Sequence, residues 1–323
     1  MNAVVQMVAN RFADHKYICI GLDPDLEKIP NYHHCKTDGE RVYEFLTRII
    51  DKTHKLALAY KPQSAYYEAL GDEGHTVLRD VIAYIRDIDA SIPVILDYKR
   101  GDIGRTNDPY VKLAFDPALY GADAVTVNPF LGMEAMEPFL VREDKLIIVL
   151  CRTSNEGAGE FQDVLCWPLM HKPSGQFFST KAEMARELGI DENEFDKSDL
   201  LHMQMPLYEF VARRVALSWN SRGNCALVVG ATYADKELKD IRRIAGDEMQ
   251  LLLPGVGTQG ADLEATILNG RAKEGWNIII NNASAILYAY EKRRGYTRGR
   301  AEFAARLAAQ EMHNQITAVL EAA

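Results

Sequence analysis

Cysteine is scarce in this 323-residue chain. Cys19, Cys35, Cys151, Cys166 and Cys225 are odd in number and never stand in a C-x-x-C spacing. That excludes a disulfide framework and a thiolate zinc knuckle, and it leads us to expect a reduced, cytoplasmic protein. Cys19, Cys151 and Cys225 fall in apolar runs, where a thiol serves as a small core residue. Long hydrophobic stretches are missing too: an acid appears by residue 14, and nothing later approaches a membrane span. Nor is there an excess of positive charge. The 37 basic and 46 acidic residues leave −9, which implies no general attraction to nucleic acid or anionic membrane. An anionic ligand therefore needs a local positive site. Internal repeats and low-complexity linkers are absent as well, so residues 1–323 are expected to form one domain.

What is present is a rhythm. Apolar, near-continuous runs at 17–25, 56–62, 93–99, 122–130, 146–155, 225–232, 249–257 and 276–284 read as strands covered on both faces. Amphipathic stretches fall near 40–55, 73–88, 106–119, 133–140, 206–221, 234–246 and from Asp262 onward. Eight strands alternating with helices predict an α/β fold of the (β/α)8 TIM-barrel type rather than an open sheet. A helix at 3–13, with Val4, Val5, Met7, Val8 and Phe12 on one face, precedes it. A closing helix over 300–321 follows, with Phe303, Leu307, Ile316 and Leu320 near helical spacing. Residues 163–205, after the fifth strand, break the rhythm and read as an insertion with a short helix at 180–188.

Polar residues gather where the strands stop: Asp23, Lys61, Asp97 and Lys99, Asn128, Ser154, Gln259, and Asn281 with Asn282. In a barrel these ends share one face, the one that carries chemistry. The densest stretch is ILDYKRGDIGRT, residues 95–106, where Asp97, Lys99 and Asp102 follow an apolar strand. Along an extended segment Asp97 and Lys99 point to the same side. A salt-bridged strand end is the plain structural reading of D-x-K. Its position in a β/α series favours a working ionic array, which is costly to bury unless it acts on something.

LLPGVGTQGADL, residues 252–263, is the second such stretch. Gly255, Gly257 and Gly260 match G-x-G-x-x-G between a strand and a helix, which admits an NAD(P)-dependent oxidoreductase. A phosphate cradled by free N–H groups at a helix N-terminus serves either reading. Nucleotide-binding domains open with this motif, whereas here it follows the seventh strand of eight, where barrels bind phosphate. His15, His33, His34 and His54 lie in polar contexts and read as solvated, and Lys292, Arg293 and Arg294 as an exposed helix end.

DYKRGDIG resembles the D-x-K-x-x-D signature of orotidine 5′-phosphate decarboxylases, the enzymes that complete UMP synthesis. GLDPD, AYKP, VTVNPFLG, LCRTSNEGAGEFQ, VVGAT and PGVGTQG are similar to further motifs of the longer microbial branch of that family, in the same order along the chain. The resemblance implies decarboxylation of orotidine 5′-phosphate (OMP) to UMP without metal or organic cofactor. It implies roles for Lys61, Asp97, Lys99 and Asp102 as a Lys–Asp–Lys–Asp array, with Asp97 crowding the substrate carboxylate and Lys99 protonating C6. Asp102 is then contributed by the partner subunit of a homodimer, and Ile103 and Thr106 belong to the same crossing loop. Asp23 becomes the ribose-hydroxyl ligand, Ser154 the reader of the pyrimidine edge, and Pro254, Gly257, Gln259 and Asn282 part of the nucleotide pocket, with Gln259 bridging pyrimidine and phosphate. A metal site is the rival use of D-x-K-x-x-D, but an ammonium among the acids repels a cation. One position departs from the pattern. Where the family carries a phosphate-pairing arginine after the eighth strand, this chain has Ser284. Compensation by a group such as Arg293, a substituted residue, or a phosphate-binding homologue with impaired catalysis are the readings open at this point.

Overall fold

The computed structural model describes residues 2–166, 180–188, 191–193, 204–256, 262–273 and 276–322. Gly257 and Gln259, with most of the insertion, lie outside the described residues. Eight strands form one sheet: β1 Ile18–Leu22, β2 Ala57–Pro62, β3 Ile95–Arg100, β4 Ala124–Val127, β5 Leu146–Arg152, β6 Cys225–Val229, β7 Gln250–Pro254 and β8 Ile278–Asn282. Their order is β2-β1-β8-β7-β6-β5-β4-β3, and every neighbouring pair runs parallel. Single bridges Tyr60↔Val94 and Gln63↔Asp97, with Tyr60 N–H donating to Pro93 O at 3.0 Å, join β2 to β3 and close the ring. Parallel neighbours need long crossovers, and helices supply them on the outside.

Strand alternation sorts the core into two layers. Cys19, Ala59, Ile95, Ala124, Ile148, Ala226, Leu252 and Ile279 point into the barrel, while Ile18, Tyr60, Leu96, Val125, Ile147, Leu227, Leu251 and Ile280 face the helices. The N-terminal helix, Ala3–Ala13, buries Val4, Val5 and Val8 against the inner layer and so plugs the barrel at the strands' N-terminal ends. Asn2 caps it, accepting from Val4 N and Val5 N at 2.9 and 3.2 Å, and its amide donates to Lys145 O at 3.0 Å. The same helix face buries Arg11, which donates to Ala57 O (2.9 Å), Asp89 (2.9 Å) and Ser91 (2.9 Å). With that end sealed, the opposite rim is left for ligands.

The helices follow the expected series, with two differences. The segment after the insertion is α-helical only over Leu207–Arg214 and continues as a wider turn, Val215–Trp219. In the closing helix, Ala301–Ala322, the expected apolar face holds only in its second half: Ile316 is buried and Leu320 packs on the core, whereas Phe303 and Leu307 are 45% and 40% exposed and Ala301, Ala304, Ala305, Ala309 and Met312 are buried in their place. Alanine lets this helix lie close against the helix Asp38–Thr53, and the Lys52 ammonium covers the Phe303 ring at 5.0 Å. At the base of the insertion Leu165–Cys166 pairs antiparallel with Met205–Pro206, and the short helix runs Lys181–Leu188.

Candidate active site

Period 2 alone does not shape the end of β3. The β3–β4 register shifts between Leu96 and Arg100, so Asp97, Tyr98 and Lys99 form a bulge opposite Thr126. Lys99 takes a positive φ of 48°, a conformation that costs a side-chain-bearing residue roughly 1–3 kcal/mol. Thr126, buried on β4, fixes the bulge from both directions. It accepts from Lys99 N at 3.1 Å and donates its hydroxyl to Asp97 Oδ1 at 2.8 Å. Sequence reasoning missed Thr126; its signal was a hydroxyl at an inward position of an otherwise apolar strand.

The bulge aims Asp97 at two lysines. Lys61, from the end of β2, reaches Asp97 Oδ2 at 2.6 Å, and Lys99 reaches Oδ1 at 2.6 Å. Lys61 and Asp97 are buried, whereas the Lys99 side chain is 44% exposed. Burial pushes the Asp97 carboxyl up, but the two ammonium groups outweigh it and hold it well below the usual carboxylate range. Lys61 is affected the same way with the opposite sign: burial lowers it, and Asp97 with Asp23 lifts it above the ordinary lysine value. Both groups therefore stay charged across neutral pH. Beneath them lies Cys19, whose thiol burial pushes up to about 12.

Around this array the rim offers acceptors. Asp23 lies just past β1, and burial raises its carboxyl despite the nearby Lys61. Asp23 Oδ1, Asn281 Oδ1 and Asn282 Oδ1 are buried and receive no hydrogen bond from the described residues. Such acceptors suit a ligand that brings hydroxyl or N–H groups. Tyr288 steadies Asp23: its hydroxyl donates to Asp23 O at 2.8 Å and lies 2.6 Å from Asp25 N. Asn282 donates to Val256 O at 2.8 Å and ties the end of β8 to the chain leaving β7 beyond Pro254.

Ser154 follows β5 on a pinned loop. Gln162 accepts from Thr153 N at 2.9 Å and from the buried Arg152 at 3.2 Å, and donates to Thr153 Oγ1 at 2.8 Å. Behind Ser154 stands Gly230, where a Cβ would come within 2.8 Å of the Ser154 backbone; only glycine permits that approach.

Four expected residues stand apart from the array. Asp102 lies on the loop after β3, where its carboxylate accepts from Ile103 N at 2.7 Å. Ile103 is 66% exposed and Thr106 is exposed. Ser284 is exposed at the start of the turn Ser284–Leu287 and lines a cavity of about 490 Å³ with Lys28, Tyr288, Lys292 and Arg293. Arg293 is engaged with Glu311, donating from Nη1 at 2.8 Å.

A closed (β/α)8 barrel with a buried lysine–carboxylate–lysine cluster on its strand-end rim defines a barrel enzyme. The model of the orotidine 5′-phosphate decarboxylase / HUMPS family matches residues 16–297. The orotidine 5′-phosphate decarboxylase of Janthinobacterium sp. (strain Marseille) is 42% identical over 272 residues, 84% of each chain. That of Cellvibrio japonicus (strain Ueda107) is 41% identical over 277 residues, 86% of each. Among solved structures, the OMP decarboxylase of Leishmania donovani superimposes with a TM-score of 0.72 at 30% identity, covering 99% of this chain and all 100% of that one. The chain belongs to the orotidine 5′-phosphate decarboxylase family. The glycine motif that starts at Gly255 follows the seventh barrel strand, Gln250–Pro254, the position at which barrels bind phosphate.

Proposed function

We propose that this protein is a carboxy-lyase that converts OMP to UMP, in pyrimidine biosynthesis, with no metal or organic cofactor. The observation that carries the reading is the Lys61–Asp97–Lys99 cluster, in which two ammonium groups hold one carboxylate ionised at the mouth of the barrel. The bond from C6 of the pyrimidine to its carboxylate breaks, carbon dioxide leaves, and the electron pair remains on C6. Asp97, kept anionic, repels the substrate carboxylate and favours its departure. Lys99 stabilises the developing charge and donates its proton to C6, giving UMP. Its partial exposure lets solvent return that proton. Lys61 holds Asp97 in place and reaches the ribose.

Asp23 accepts a ribose hydroxyl, a role suited to its unpartnered buried oxygen. Ser154 reads the pyrimidine edge; Pro254, Gly257, Gln259 and Asn282 form the nucleotide pocket. Asp102 of the partner subunit completes the array of a homodimer, with Ile103 and Thr106 crossing beside it. The exposure of Ile103, and of Phe130 (85%) and Leu131 on the turn after β4, supports an apolar meeting surface on this rim. We read residues 1–323 as one cytoplasmic domain; among the described residues no helix is long and apolar enough to cross a membrane. Loss of orotate absorbance on incubating OMP with EDTA-treated protein, no cofactor added, tests the function. A second reading, a nucleotide-binding homologue with impaired turnover, rests on Ser284; retained UMP binding without turnover would favour it.

A further inference from the structure

Asp102 is the one member of the array whose carboxylate must reach beyond its own chain, so its backbone has to be held from within. The loop that carries it is poorly anchored by packing. Ile103, Arg105 and Thr106 are exposed, and Gly104 has a φ of +47°. One residue compensates. Asn107, fully buried at the start of the helix Asn107–Phe115, closes a ring around the Asp102 peptide units. Its Oδ1 accepts from Asp102 N at 3.0 Å, and its Nδ2 donates to Asp102 O at 2.5 Å. The same Nδ2 also donates to Ala135 O, in the helix Gly132–Leu140 that follows β4. One N–H and two carbonyls face this amide, so only one orientation satisfies all three. Asn107 thus bolts both backbone atoms of Asp102 to the next helix of the barrel.

We propose that Asn107 is a positioning residue that sets Asp102 for the partner subunit's site while doing nothing for its own. The proposal rests on the cross-subunit reading of Asp102 given above. Without the amide, the loop keeps its composition but loses the contacts that fix where Asp102 stands. A misplacement on the order of 1 Å can cost about a hundredfold in rate, so Asn107→Ala should lower kcat by roughly ten- to a hundredfold.

Subunit mixing distinguishes this from a loss of fold. Asn107→Ala mixed with Lys99→Ala should recover activity, because one site of the mixed dimer draws Lys99 from the first chain and a correctly held Asp102 from the second. With equal mixing, about a quarter of wild-type sites should be regained, half of the dimers carrying one good site each. Asn107→Ala mixed with Asp102→Ala should recover nothing. The opposite pattern, recovery with Asp102→Ala and none with Lys99→Ala, would show that Asn107 serves its own subunit's site and would overturn the inference alone. So would an Asn107→Ala dimer within twofold of wild-type activity. Failure of the Lys99→Ala and Asp102→Ala pair to complement each other, despite verified exchange, would overturn the cross-subunit reading and the inference with it. If Asn107→Ala does not fold, as judged by its melting curve, Asn107→Ser carries the same crosses, since a serine hydroxyl is too short to span both Asp102 atoms.

Discussion

Asp97 Oδ2 receives the Lys61 ammonium at 2.6 Å with more than nine-tenths of both side chains buried, a salt bridge sealed inside the wall of the barrel. Lys99, bound to the other oxygen at the same distance, is nearly half open to solvent. The two lysines should therefore fail differently. Removing Lys61 leaves Asp97 and Asp23 buried without their shared cation, and breaking a buried pair in this way costs about 3–5 kcal/mol. Asp97 has a depressed pKa, so its contribution is present above the unfolded carboxylate value and fades as pH falls below it. Lys61 is raised, so its contribution holds below the unfolded lysine value and fades as pH climbs past it. The pair accordingly stabilises the fold between roughly pH 4 and 10. Lys61→Met should lower urea-unfolding stability by several kcal/mol across that window, and the difference should narrow toward pH 3. An unchanged midpoint at pH 7 would refute the buried-pair argument.

Lys99→Ala should leave the melting temperature within a few degrees of the parent, since surface changes of this kind stay small. Alanine keeps the Cβ, so the left-handed backbone at this position is no less strained than in the parent. Decarboxylation should nonetheless disappear, because the proposed proton donor for C6 is gone. Steady-state rates within tenfold of wild type would remove Lys99 from the mechanism.

Asp23 shows a conflict between binding and stability. Burial raises its pKa, so the folded chain favours the protonated form and ionised Asp23 costs stability as pH rises past the ordinary carboxylate value. Asp23→Asn should therefore raise the melting temperature at pH 7, by about one to three degrees, while weakening UMP binding. In the wild type, affinity for UMP should fall as the medium is acidified through the raised Asp23 pKa. The variant should lack that acid limb, which separates Asp23 from the ligand's own phosphate titration. A titration by calorimetry from pH 4 to 8 reads both.

Much of this was legible from residues alone, and the failures have physical causes. The eight strands announced themselves because parallel strands buried on both faces leave unbroken apolar runs, from Ile18 in β1 to Ile280 in β8. Asp97 and Lys99 were visible as charge at a strand end, and they meet. Their meeting, however, depends on a bulge and on Thr126, and a period-2 pattern contains neither. The first half of the closing helix differs from expectation at Phe303 and Leu307 because large apolar residues outweigh alanine in any hydrophobic pattern, whereas close helix packing selects the small side chain. Arg11 lies outside the apolar face expected of its helix and is buried, its guanidinium spent on backbone carbonyls that no local pattern reveals. Asn107 is the same case at the site itself: an amide in a polar stretch, identifiable only once Asp102 and Ala135 are brought around it.

Ser284 stands where the family's phosphate-pairing arginine is expected, and its surroundings sharpen the test. It is exposed on the rim after β8 and shares a cavity with Lys28, Lys292 and Arg293. Of these, Arg293 is held by Glu311 and Lys28 lies 3.7 Å from Glu291, while Lys292 is exposed. On the proposed function, a serine here supplies no bidentate guanidinium–phosphate contact. Hydrogen bonds to charged groups contribute roughly 1.5–3 kcal/mol, on the order of ten- to a hundredfold in kcat/KM. Ser284→Arg should raise kcat/KM for OMP by about that factor and leave the reaction of orotidine, which lacks the phosphate, nearly unchanged. Arg293→Ala should cost little activity, its loss falling on the contact with the closing helix instead. If Ser284→Arg has no effect and Arg293→Ala cuts kcat/KM tenfold or more for OMP alone, then Arg293 leaves Glu311 to take the phosphate, and the grip has moved by nine positions along the chain.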